Sequence, residues 1–368
     1  MRVLHIVSHI SVRSGIMSVV MSYYRKLYNE NIVFDFLYFN EQEDNYKSEI
    51  SNMGGQCFLT PNPTSVFSFN RFIKSFCNDK IGQYDIIHLH DPFLVLFYFK
   101  LKRMLGAKVF ISHAHNTKFS DKRIGEWRNR LFSMPNYWLP DYYFACSKMA
   151  GKTIFGLKFK DGTVINNAIN VSKFQNTPDK RSAMRRSLGI DDCFVIGHIG
   201  NFIEQKNQSF IVDIFFEIQK NRTDALLMFV GDGPNKRMIK EKCITLGIEN
   251  KVKFLGVRND VAEVVSAFDR FLFPSLYEGL GIVLIEAQTA GVPCIYSSVV
   301  PSETNILKEN NKILDLSQSA KEWADAVLNE NLCIQYNSSE KITDNGFNID
   351  VEALKVGELY KNLMENKA

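Results

Sequence analysis

Between residues 278 and 286 the chain reads Glu-Gly-Leu-Gly-Ile-Val-Leu-Ile-Glu, two carboxylates separated by seven residues with a glycine-rich turn at the front. Before it, Phe271-Leu-Phe-Pro-Ser-Leu-Tyr277 is a short apolar strand ended by Pro274-Ser275. After it, Ile282 to Ala290 has helical apolar spacing. Strand, glycine turn and helix in this order present backbone N–H groups and a helix N-terminus to an anion, usually a phosphate. The spacing places Glu278 at the mouth of the turn and Glu286 about two helical turns inside, on roughly the same face. One carboxylate then reaches a sugar beyond the phosphates, and the other a ribose. Taken alone, the segment fits an ordinary strand–turn–helix with two solvated glutamates equally well.

Other segments carry the same kind of chemistry. Gly231-Asp-Gly-Pro234 closes a strand and opens a helix, and its glycines let the backbone pass close to a ligand. Ser14-Gly15 follows the first strand and either cradles a pyrophosphate or sugar or is a plain turn. In Gly200-Asn-Phe-Ile-Glu-Gln-Lys-Asn207, Lys206 lies just before a helix, where a flexible ammonium neutralises phosphate charge. This loop opens at the sheet edge that also carries Glu278. Two His-x-His pairs end first-half strands, in His88-Leu-His90-Asp91 and Ser112-His-Ala-His-Asn116. Alternate strand residues share a face, but no carboxylate or cysteine set completes a coordination shell, so no metal is expected. A polar contact to substrate suits one of these imidazoles, and a structural role suits the others.

These residues need elements to hold them. Strand-like segments such as Val3–Val7, Asp85–His90, Lys108–Ser112, Phe194–Ile199 and Ala225–Val230 alternate with helical ones, including Met17–Leu27, Leu94–Leu105 and Gln208–Gln219. That alternation implies parallel, doubly wound α/β sheets. At 368 residues the chain suits two domains. We read them as residues 1–170 and 171–350, with a helix over 351–364 packing back on the first. Two facing Rossmann-like domains would leave a cleft at the carboxyl ends of their strands, where such sheets bind ligands.

Composition narrows the function. With 44 basic and 40 acidic residues the net charge is +4, too weak to argue for nucleic acid. The seven cysteines are scattered with no Cys-x-x-Cys pair, which fits free thiols in a reducing cytoplasm. Met1-Arg-Val-Leu-His-Ile-Val reads as a first strand and not a signal peptide, and the apolar run Pro92 to Phe99 is far short of a bilayer span. The expected location is cytoplasmic, with the protein peripheral on the inner face of the cell membrane. Docking there would use residues 118–138, where Lys118, Lys122, Arg123, Arg128 and Arg130 interleave with Phe119, Trp127, Phe132 and Trp138.

Taken together, Asp85–His90, Ser112–Asn116, Phe144–Ser147, Val164–Ile169, the Lys206 loop, Val230–Pro234, Phe254–Val261 and above all Glu278–Glu286 resemble the retaining glycosyltransferases of family 4, which have the GT-B fold. The likeness covers nearly the whole chain and is nearest to bacterial capsular and exopolysaccharide enzymes. The resemblance implies transfer of a sugar from a UDP-sugar donor to a lipid-linked saccharide acceptor, without a cofactor. It implies that Glu278 contacts the donor sugar, Glu286 the ribose hydroxyls and Lys206 the diphosphate. Backbone at Val257 and Arg258 would meet the base, and Gly279, Leu280 and Gly281 the phosphates. Gly15, Asn201 and Gly231 would line the donor site, and His113, or less directly His115, would lie by the reacting sugar. Two positions depart from the family pattern. Asn201 stands where an arginine is usual, and Ser14-Gly15 where paired glycines are usual. Arg258 is a candidate for the missing cation. The Asn201 departure also admits a non-catalytic nucleotide-sugar-binding partner of another transferase, and cleft carboxylates admit a nucleotide-sugar epimerase of the same fold.

Overall fold

A computed structural model of the chain describes residues 1–119, 123–329 and 331–366. It divides into two units, Met1–Ala168 with Ile349–Ala368, and Ile169–Asn348.

The first unit is built on seven strands: β1 Arg2–Ile6, β2 Val33–Tyr38, β3 Cys57–Leu59, β4 Ile86–Leu89, β5 Val109–Ala114, β6 Tyr142–Ala145 and β7 Thr163–Val164. They lie in the order β3-β2-β1-β4-β5-β6-β7, all parallel. Apolar residues are buried on both faces of the central strands, as a parallel sheet covered on both sides requires. On one face Leu4, Ile6, Ile87 and Leu89 pack against Phe69, Ile73, Tyr98 and Leu105. The helix Ile349–Glu365 packs on the helix Gly15–Leu27. Lys26 pairs with Asp350 across this contact, and a Cβ on Gly357 would lie 2.9 Å from Leu27 Cδ2. At the far end of the same helix, Tyr360 Oη lies 2.8 Å from His88 Nδ1.

The second unit has six parallel strands: β8 Phe194–Ile199, β9 Ala225–Val230, β10 Val252–Phe254, β11 Arg270–Phe273, β12 Cys294–Ser297 and β13 Asn311–Leu314. Their order is β10-β9-β8-β11-β12-β13. Asp269 fastens the central seam from its amino end. Its carboxylate takes Arg181 at 2.5 Å and Arg185 at 3.1 Å, and accepts from Val195 N at 2.7 Å. The start of β11 is thereby held to β8 and to the helix Pro178–Leu188.

Two expectations change. The helix read over 94–105 is a 3-10 turn, Pro92–Leu94, followed by two short helices, Val95–Tyr98 and Leu101–Leu105. The strands β3, β7 and β13, of two to four residues, were not anticipated. Runs this short carry too little alternation to show a period.

Candidate functional site

In the second sheet the strand order reverses between β8 and β11, and ligands of open α/β sheets bind outside the carboxyl ends at such a point. β8 runs out into residues 200–207 and β11 into residues 274–281. Side-chain and backbone hydrogen bonds stitch these two loops together. Leu276 N donates to Gln205 O at 2.8 Å, Gln205 Nε2 to Tyr277 O at 2.9 Å, and Asn207 Nδ2 to Pro274 O at 3.1 Å. Asn207 takes a left-handed conformation, φ +54°, which turns the chain from the loop into the helix Gln208–Gln219. The result places Lys206 Nζ 2.6 Å from Glu278 Oε1, with both side chains largely buried and the ammonium 5.0 Å from the centre of the Phe273 ring.

The neighbouring loops are locked against this pair. Gly231 N donates to Gly256 O at 2.8 Å, and Phe202 N to Asp232 O at 2.9 Å. Gly231 has φ +128°, and a Cβ there would fall 2.2 Å from Gly200 O. Backbone strain and this collision together predict that Gly231→Ala loses a few kcal/mol of unfolding free energy and weakens nucleotide binding. Urea unfolding and UDP calorimetry on the variant check both. Asn201, at the head of the same loop, is exposed.

Gly281, with φ +88°, begins the helix Ile282–Thr289; no side chain caps this helix and no acid lies in its first turn. Leu284 N in its first turn donates to Gly281 O at 2.9 Å, and the positive end of such a helix favours an anion. Gly279, Leu280 and Gly281 are buried around that end. Glu286 is the fifth residue of this helix, so it sits about one turn inside and not two. The larger figure comes from counting turns from Glu278, at the front of the glycine turn, instead of from the helix start at Ile282. The half-buried Glu286 carboxyl makes no hydrogen bond among the described residues, and its burial raises its pKa to about 8 against a weak opposing pull from Lys173.

Lys173 also lines an open pocket of about 500 Å³ with Leu255, Val257, Arg258, Asn259 and Asp260, the stretch expected to meet the base. Arg258, the candidate spare cation, is held in an ion pair. Its Nε donates to Asp260 Oδ1 at 2.7 Å, and this charge-assisted pair holds the Arg258 pKa up and the Asp260 pKa down. A residue two positions along neutralises it, which the loop sequence alone did not reveal.

In the first unit, Gly15 opens the helix Gly15–Leu27 behind the N-cap Ser14, and a Cβ there would meet nothing within 4 Å. Ser14 lines a small pocket of about 110 Å³ with Ser8, His9, His90 and Asp91, beyond the ends of β1 and β4. Here too the strand order reverses. His113 is placed differently from its expected role at the reacting sugar. It is only 4% exposed, its Nδ1 lies 3.0 Å from His88 Nε2, and burial holds its pKa well below the usual value. An enclosed neutral ring offers no nitrogen at the surface; His115, two residues on, is the more accessible of the pair. Histidines alone also come together in this unit. His5, missed as a partner because it lies on a different strand, joins the two pairs, and the trios His5, His88, His90 and His90, His113, His115 each bring ring nitrogens within 4.8 Å of one another.

The family model described as "Glycosyl transferases group 1" matches residues 180–347. EpsF of Bacillus subtilis, named as a glycosyltransferase, is 30% identical over 336 residues, covering 89% of this chain and 86% of its own. The chain belongs to the group 1 glycosyl transferases. An Escherichia coli member named UDP-Gal:alpha-D-GlcNAc-diphosphoundecaprenol alpha-1,3-galactosyltransferase is 25% identical over 311 residues, 78% of each chain. Among solved structures, Anabaena Alr3699/HepE in complex with UDP-glucose superposes with a TM-score of 0.80 at 17% identity, over 98% of this chain and 100% of the other. This likeness shows the fold, which is GT-B. The group 1 enzyme described here is therefore a glycosyltransferase. Among its described residues no helix is long and apolar enough to cross a membrane.

Proposed function

We propose that the protein is a retaining, metal-independent glycosyltransferase of family 4 that moves a sugar from UDP to a lipid-linked saccharide in bacterial surface polysaccharide synthesis. The Lys206–Glu278 pair at the β8–β11 switch point carries this reading. In the empty protein each charge holds the other where a donor's charges and hydroxyls would take over. On donor binding Lys206 exchanges Glu278 for the diphosphate, and Glu278 turns to the sugar hydroxyls. Glu286, buried without a hydrogen bond, takes the ribose hydroxyls. The acceptor hydroxyl attacks the anomeric carbon on the face that UDP leaves. As the carbon–oxygen bond to the diphosphate breaks, a leaving phosphate oxygen takes the hydroxyl proton. Lys206 and the N-terminus of the helix Ile282–Thr289 stabilise the negative charge that develops. We assign the acceptor to the first unit. The choice of UDP and of a lipid-linked acceptor draws on the E. coli galactosyltransferase and on the UDP-glucose in HepE.

Release of UDP from a panel of nucleotide-sugars, with bacterial lipid extract as acceptor, tests the proposal. Transfer with the anomeric configuration of the donor is the expected result. An inverted product overturns retention, and interconversion of free nucleotide-sugars without acceptor identifies an epimerase.

Membrane docking belongs to the same proposal. The helix Arg123–Ser133 and the turn after it leave Trp127 75% exposed and Trp138 74% exposed, with Leu131 and Met134 also outside. Trp127, Leu131 and Met134 line a groove of about 530 Å³ with Phe119 and Arg130. Lys122 and the side chain of Arg123 lie outside the described residues. Flotation should recover more protein with anionic than with neutral liposomes, each surface cation contributing about 1 kcal/mol. Equal recovery would remove the electrostatic part of the proposal.

A further inference from the structure

Five of the seven histidines meet inside the first unit, on the neighbouring strands β1, β4 and β5. Strand register makes the cluster. His5 stands directly opposite His88, and the β4–β5 pairing, which sets Leu89 opposite Ser112, carries His90 towards His113 one position on. Alternation then puts His88 with His90, and His113 with His115, on one face. The five rings line a small, largely apolar cavity of about 30 Å³ together with Phe34, Phe144 and Tyr360.

The ring nitrogens form two hydrogen-bonded rows. In one, His5 Nδ1 lies 2.8 Å from His90 Nε2, and His90 Nδ1 lies 2.7 Å from His115 Nε2. In the other, Tyr360 Oη lies 2.8 Å from His88 Nδ1, and His88 Nε2 lies 3.0 Å from His113 Nδ1. Three buried nitrogens have no partner: His5 Nε2, His113 Nε2 and His115 Nδ1. A buried polar atom left without a partner costs about 1–3 kcal/mol and calls for an explanation such as an ion.

We propose that His90, His113 and His115 form a site for one divalent transition-metal ion of the zinc class, held by His90 Nδ1, His113 Nε2 and His115 Nε2. Imidazoles without carboxylates select such ions over magnesium or calcium. The remaining histidines fix the tautomers. His90 Nε2–H donates to His5, and His113 Nδ1–H donates to His88, which in turn donates to Tyr360, so each of these two ligands has the outer partner that metal-bound histidines use. Entry of the ion moves the proton between His90 Nδ1 and His115 Nε2 onto His115 Nδ1, which has no partner, so that both rings bind as neutral imidazoles. It also spreads their nitrogens from 2.7 Å to roughly 3.3–3.4 Å, the separation that bonds of about 2.0–2.1 Å impose on a tetrahedral ion. The fourth position is left to water or to an oxygen of a bound molecule. This site lies outside the donor machinery of the second unit, and its test does not depend on transferase activity.

Untagged full-length protein, stripped with chelator and dialysed against Zn2+ or Co2+, should retain one equivalent of metal, and the Co2+ form should show the strong visible absorption of a tetrahedral site. His113→Ala and His115→Ala should each lose that spectrum and at least tenfold in affinity, while His9→Ala keeps both. His115 is the least buried ligand, so its variant tests the site with the least disturbance of the core. If a variant fails to fold, the parent protein alone decides, through a melting temperature that should rise with Zn2+ concentration. No retained metal and no thermal shift in the parent would overturn the proposal, as would a Co2+ spectrum that survives in folded His115→Ala.

Discussion

Turnover in Lys206→Ala should fall by roughly two to three orders of magnitude, because removing a main charge-stabilising group from a leaving diphosphate has effects of this size. Asn201 is exposed and uncharged, and Arg258 is paired with Asp260, so Lys206 is the cation placed beside Glu278. The substitution also removes the cation beside Glu278, whose side chain is 6% exposed, and some loss of stability is expected with it. The double variant Lys206→Ala/Glu278→Gln separates the two effects, since it should recover stability but not turnover. Asn201→Arg should leave the fold intact and raise the rate. Steady-state UDP release from these proteins decides the matter. Near-parental turnover in Lys206→Ala would reject the phosphate assignment, and an inactive parent rescued by Asn201→Arg would favour a non-catalytic nucleotide-sugar binder.

Glu286 should make nucleotide affinity depend on pH. With its pKa raised to about 8 by burial, the carboxyl is mostly protonated at neutral pH. Ribose hydroxyls donate to the ionised form, so UDP binding expels a proton and tightens with rising pH until about pH 8. Calorimetry in buffers from pH 6 to 9 reads this slope directly. Glu286→Gln should abolish the slope and weaken binding at high pH by roughly 1.5–3 kcal/mol for each charge-assisted hydrogen bond lost. Stability moves the other way. The folded pKa lies above the unfolded value of about 4.3, so the unfolded chain releases its proton first, and folding weakens as pH rises from there to about 8. Glu286→Gln should therefore match the parent near pH 4 and exceed it by a few kcal/mol at pH 8.5 in urea unfolding. UDP affinity that is flat with pH and unchanged in the variant would show that the ribose is bound elsewhere.

Much of the donor side was legible in the chain. A glycine turn between an apolar strand and a run with helical apolar spacing is a local pattern, and the loop from Gly200 to Asn207 follows its strand directly, so Lys206 and Glu278 could be placed at one sheet edge. What the order of residues hides is pairing between distant segments. Arg258 looked free because its partner Asp260 is an ordinary loop acid until the turn folds. The histidines of β4 and β5 looked like two unrelated pairs, since nothing local states that the strands are adjacent or in what register. His5 lay 83 residues from His88 and gave no sign of belonging with it. The start of the helix at Ile282 was legible too, because Gly279 and Gly281 break the chain just before it; only the depth of Glu286 was overcounted, from Glu278.

The first unit is not continuous in the chain. About 180 residues, the whole second unit, separate residues 1–168 from the helix Ile349–Glu365 that covers the helix Gly15–Leu27 and reaches His88 through Tyr360. On a ribosome adding 5–20 residues per second, the first half therefore waits roughly ten to forty seconds for its closing element. Until then the bare flank of the helix Gly15–Leu27 and the nitrogen of His88 face water or a chaperone. The second unit, contiguous from 169 to 348, can fold while the first is still open. Fragments cut near residue 170 should for that reason yield a sticky amino-terminal piece, whereas the carboxyl-terminal unit is the half that can be made alone.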